Sequence, residues 1–178
     1  MRHSFSQAEG TPALTPIRII GIGSPFGADQ VGWVIAQHLQ GSGWLQEFPA
    51  GLISVSQCDR PGARLLQEMA GARLALLIDA ITGDLPPGSL QCFQGRALIA
   101  GAPLLSSHAF DVSSALALGA ALDQLPKELY VLGIAIGSAE DFLAQSMTGL
   151  PSDLTSPELM TKIHRKIIRI ISRFQDSW

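Results

Sequence analysis

The chain has 178 residues, 47% of them apolar, enough for one sizeable core and little room for a second domain. Twelve basic against 15 acidic residues leave a formal net charge of -3, which argues against a nucleic-acid groove. Its two cysteines, Cys58 and Cys92, make no CxxC pair, so neither a zinc finger nor a disulfide framework is expected, and reduced thiols suit the cytoplasm.

Residues 1–16 are broken by Gly10, Pro12 and Pro16, lack the apolar run of a secretory signal and read as a flexible tail. Residues 17–178 read as a single domain. Ile17 to Ile22 is a β-branched apolar run that suits a strand covered on both faces. From Asp29, apolar residues at Val31, Val34, Ile35 and Leu39 follow helical spacing until Gly41 and Gly43. Leu52 to Val55 predicts a second strand, Pro61 to Met69 a short helix and Leu74 to Ile78 a third strand. That last run stops at Asp79, well short of the roughly 20 apolar residues of a membrane span.

Right-handed crossovers make these three strands parallel, with their carboxyl ends on one edge. The link to Leu90–Phe93 is too short for such a crossover and predicts an antiparallel edge strand. After a Gly- and Ala-rich loop, His108 to Leu122 predicts a helix, Tyr130 to Ile136 the last strand, and Pro157 to Phe174 an amphipathic helix. Its basic residues, with His164, fall mostly on the solvated side. The expected fold is a three-layer α-β-α sandwich around a mostly parallel five-stranded sheet.

In such sheets ligands bind beyond the carboxyl ends of the strands. The first loop, Gly21-Ile22-Gly23-Ser24-Pro25-Phe26-Gly27-Ala28-Asp29-Gln30, has glycines spaced unlike a dinucleotide fingerprint. Pro25 removes a donor, and Asp29 sets negative charge where a pyrophosphate would lie. Asp29 admits two readings, a helix cap or a functional acid. Asp79 ends an apolar strand, where a carboxylate is costly unless paired or metal-bound, and reads as functional. His108, at a helix start, reads equally as packing or as a ligand. An acid, an imidazole and a first-loop side chain together suit nickel or zinc.

Gly21-Ile22-Gly23 through Asp29 to Gly32, Ile78-Asp79-Ala80, Ser106-Ser107-His108 and Leu132-Gly133-Ile134, in this order, resemble the endopeptidases that mature the large subunit of nickel-iron hydrogenases. The resemblance implies an aspartic-type endopeptidase that removes a carboxyl-terminal extension from the nickel-loaded precursor, with nickel supplied by that substrate. It implies metal contacts from Gln30, Asp79 and His108, substrate contacts at Gly23 and Ser24, and a monomer acting in the cytoplasm without membrane or nucleic acid. Gln30 stands where the family has an acid, a role that Asp29 is placed to take over. Ser24 replaces an asparagine, and Ala135-Ile136-Gly137 lacks a proline.

On this reading water is the nucleophile and Asp29 the general base or water-orienting residue. Two rivals are a thiol hydrolase built on Cys58, His108 and Asp79, and a nickel-dependent chaperone that binds the immature subunit without cutting it.

Overall fold

A computed structural model describes residues 16–25, 27–59, 61–99, 109–138 and 150–175. Its strands are β1 (Ile17–Gly23), β2 (Ile53–Asp59), β3 (Leu74–Ile81), β4 (Leu90–Gln94) and β5 (Glu128–Ala135), in the order β2-β1-β3-β5-β4. All pair in parallel except β4, which runs antiparallel to β5 at one edge. The helices are α1 (Val31–Gly41), α2 (Gly62–Met69), α3 (Gly95–Ile99), α4 (Ala109–Ala121) and α5 (Pro157–Gln175).

The alternation of side chains along each strand builds a core on either side of the sheet. Ile17 and Ile19 of β1 and Leu74, Leu76 and Ile78 of β3 pack with Ile35 and Leu39 of α1 and Ile163 and Ile167 of α5. Ile20, Ile22, Ala75 and Leu77 pack on the opposite face with Leu65 of α2, Leu98 of α3 and Leu116 of α4. The predicted three-layer sandwich is therefore the observed one. No helix among the described residues is long and apolar enough to cross a membrane.

Several elements depart from the sequence expectation. β2 runs on through Ser56 and Gln57 to Asp59, because an edge strand has only partly covered faces and accommodates polar residues. β3 continues past Asp79 to Ile81, with Asp79, Ala80 and Ile81 paired to Gly133, Ile134 and Ala135. A side-chain carboxylate does not interrupt a ladder made by the backbone. Gly95 to Ile99, expected as loop, is helical, and Gly95 lies so close to the Leu129 side chain that a Cβ there would collide with it.

The start of α1 differs in a way that shapes the first loop. The four residues Gly27–Gln30 form a 3-10 turn, entered through Gly27 at φ 53, before the α-helix begins at Val31. Gly32 then crosses the sheet at contact distance. A Cβ on Gly32 would collide with the carbonyl of Ile22 and lie 2.5 Å from that of Ile78, and a Cβ on Gly21 would meet the Gly32 carbonyl. Since these obstacles are backbone atoms, Gly32→Ala should cost about 3 kcal/mol, read as a lower midpoint in urea unfolding.

α5 buries Leu159, Ile163, Ile167, Ile171 and Phe174, as its spacing predicts. His164 is not simply solvated. Its ring stacks on Trp44 at 5.5 Å and 8° and lies 5.6 Å from the His38 ring, while its Nε2 is buried without a hydrogen-bond partner among the described residues. Burial and the neighbouring His38 lower its pKa from 6.5, against an opposing pull from Glu47. The folded state thus resists a proton that the unfolded chain accepts. The contribution of His164 to stability is complete above pH 6.5 and is lost as pH falls from there through the folded pKa. Urea unfolding between pH 7 and pH 5 should show this acid slope, and His164→Phe should flatten it.

Candidate active site

The glycines of β1 set the geometry of the site. Gly21, Ile22 and Gly23 end the strand, and Gly21 pairs with Ile78, so the carboxyl end of β1 lies beside the Asp79 segment of β3. The helices packed around this point lie on opposite faces of the sheet, α1 with one core and α4 with the other. Such a switch point opens a crevice at the strand ends.

Asp79 has no solvent exposure, and its Oδ1 accepts the backbone N–H of Ala80 at 2.9 Å. By strand alternation it falls on the face shared by Ala75, Leu77, Ile81 and α4. Its partner in register, Gly133, contributes no side chain, and the volume of a Cβ there is taken by Ile81 at 2.8 Å. A carboxylate within an apolar strand is costly to bury unless it is paired or hydrogen-bonded.

Asp29 sits in the 3-10 turn with 4% exposure, and the turn packs on both β1 and β3. Its carbonyl lies 2.6 Å from where a Cβ on Gly23 would stand, so only glycine fits there. Asp29 lies one residue before the N-cap of α1. Gln30 occupies the N-cap of α1, in helical conformation and with no side-chain hydrogen bond to the helix. Gln30 and Ser24 are half-buried, whereas Gly23 is buried.

His108 lies outside the described residues, immediately before Ala109, the first residue of α4. Among the described residues no three His, Cys, Asp or Glu side chains converge as a metal site. The structure thus brings the Gly27–Gln30 turn against β1 and β3, the strand that carries Asp79.

Over residues 61–150, about half of the chain, the sequence matches the family model described as hydrogenase maturation protease. The chain belongs to the hydrogenase maturation protease family. It is accordingly a hydrolase of peptide bonds with a role in hydrogenase maturation. The matched stretch includes Asp79 and His108, while the glycine loop precedes it.

Solved structures extend the likeness over most of the fold. The hydrogenase maturating endopeptidase HybD from E. coli is 18% identical with a TM-score of 0.66, over 88% of this chain and 92% of that one. The [NiFe] hydrogenase maturation protease HybD from Thermococcus kodakarensis is 20% identical with a TM-score of 0.64, over 86% and 97%. The HycI protease from Thermococcus kodakarensis KOD1 is 15% identical with a TM-score of 0.56, over 89% and 93%. No curated protein sequence matches significantly.

Cys58, the nucleophile of the thiol-hydrolase reading, is fully buried among Leu65, Leu66 and Met69. Burial, reinforced by the charge of Glu68, pushes its thiol up to about 11, so the thiolate needed for attack is scarce at neutral pH. This chemistry opposes the thiol mechanism. Alkylation of the native protein at neutral pH should leave Cys58 unmodified until the chain is unfolded, as peptide mass analysis would reveal.

Sequence reasoning passed over Trp33. Its indole N–H donates to the carbonyl of Cys58 at 3.1 Å, and its ring lies 3.2 Å from the Cβ position of Gly23. A tryptophan one residue after the glycine that touches β1 was the available signal, but in sequence it reads as ordinary helix-face packing.

Proposed function

We propose that this protease removes a carboxyl-terminal extension from the nickel-loaded precursor of a nickel-iron hydrogenase large subunit. The observation that carries the reading is the buried carboxylate of Asp79, set at the sheet switch point beside the glycine loop and within the segment matched by the family model. Nickel is here part of the substrate. Asp79 offers it a carboxylate oxygen and His108 an imidazole nitrogen, and the first loop supplies a third donor, an oxygen.

That oxygen has two sources in sequence, Gln30 and Asp29. An amide ligand adds no charge, so Gln30 alone would hold a divalent ion weakly. The buried acid of Asp29 compensates from the same turn. A sparse donor set of this kind suits an ion that arrives with ligands of its own, and Gly23 and Ser24 line the approach of the peptide. Catalysis then uses water as nucleophile: oxygen bonds to the scissile carbonyl carbon, Asp29 accepts the water proton, and the departing amine takes up a proton as the C–N bond breaks. The partner is the large-subunit precursor, bound for the single turnover that trims it.

Incubating the protein with nickel-loaded and nickel-free precursor, then weighing the precursor by mass spectrometry, tests the reading. The expected result is loss of a carboxyl-terminal peptide from the loaded form only. Asp79→Asn keeps the shape of the side chain and should lower the rate at least a hundredfold while retaining the wild-type far-UV spectrum. Equal cleavage of both forms overturns the nickel dependence. Stable association without any cleavage would favour the chaperone reading instead.

A further inference from the structure

The first loop is held to the sheet by a bracket that no motif announces. Trp33 in the first turn of α1 is bonded to β2 from both its ends: its indole N–H donates to the Cys58 carbonyl at 3.1 Å, and its own carbonyl accepts the side-chain amide of Gln57 at 2.9 Å. The indole also lies against Gly23, with Cδ1 3.2 Å and Cγ 3.4 Å from the position of a Cβ there. Gly23 pairs with Asp59 in register, so the bracket closes over the carboxyl ends of β1 and β2 together. Between Gly23 and Trp33 lies the turn carrying Asp29 and Gln30.

We infer that Trp33 is a positioning residue for peptide cleavage, fixing the Gly27–Gln30 turn relative to β3 and its Asp79 through its bonds to Cys58 and Gln57. Gly32 sets how closely α1 approaches the sheet, and Val31 and Ile35 bury the apolar side of the helix start in the core. The indole and the Gln57 amide add two directional bonds one residue from Gly32, on the side of β2, where apolar packing alone is non-directional. A shift of about 1 Å in a catalytic group costs on the order of a hundredfold in rate, so a small loosening here is visible in turnover.

The inference rests on the proposed function and acts through the site rather than on substrate, which defines its test. Trp33→Phe keeps a ring against Gly23 and removes the donor to Cys58. Gln57→Leu removes the second bond from an exposed side chain and serves if the first variant folds poorly. Gln40→Ala is the control, because Gln40 also ties α1 to β2, donating to the Val55 carbonyl at 2.8 Å, but at the far end of the helix. With nickel-loaded precursor, kcat is expected to fall at least tenfold in Trp33→Phe and severalfold in Gln57→Leu, with KM within about threefold of wild type. Gln40→Ala should keep kcat within twofold even if its melting temperature drops as much. Hydrogen exchange should quicken in residues 23–30 of Trp33→Phe and stay unchanged in β3. Wild-type turnover in both bracket variants, or an equal loss in Gln40→Ala, overturns the bracket alone. A wild-type protein that leaves the precursor intact overturns the proposed function.

Discussion

The contact of Gly32 with the backbone of Ile22 and Ile78 is the constraint on which the rest of the site depends. A helix normally stands off a sheet by the thickness of its side chains. Here a glycine on the helix meets a glycine-ended strand, and the standoff collapses locally to backbone on backbone. The chain leaving β1 must therefore turn sharply, through a left-handed glycine and a single 3-10 turn, to enter α1 at the required height. Asp29 and Gln30 stand at the sheet edge as a consequence of that entry.

The pairing of β3 explains why a carboxylate does not break the strand. β3 is the central strand and is buried along its whole length, so its backbone is held by neighbours on both sides whatever the side chain at position 79. The strand is rigid because its neighbours are apolar. Cys58 lies buried in the same apolar layer, where burial pushes its thiol up and makes it inert packing.

Much of this was legible in the sequence. The apolar runs of β1 and β3 and the i, i+4 spacing of α5 are strong patterns, and they gave the layer order and the sheet type correctly. Strand ends were less legible, because β2 and β3 extend through Ser56, Gln57 and Asp79, residues whose side chains say little about backbone pairing. The short helix at Gly95–Ile99 depends on tertiary contact with Leu129 and has no local signal strong enough to mark it. Asp79 was visible because it interrupts an apolar pattern. Trp33 was not, since its importance lies in two hydrogen bonds to β2, a strand 24 and 25 residues further on in sequence. His164 was misread for a related reason: helical spacing gives its direction roughly, but not the presence of Trp44 and His38 beside it.

The side-chain bond from Gln40 to the Val55 carbonyl has a bearing beyond the single molecule. β2 is an edge of the sheet, and an uncovered edge offers a ladder of main-chain groups onto which a strand from another chain can zip. An amide from the protein's own helix, seated midway along that ladder, interrupts the template where a foreign strand would need continuity. The same bond that ties α1 to the sheet therefore also guards the chain against edge-to-edge association with its own copies.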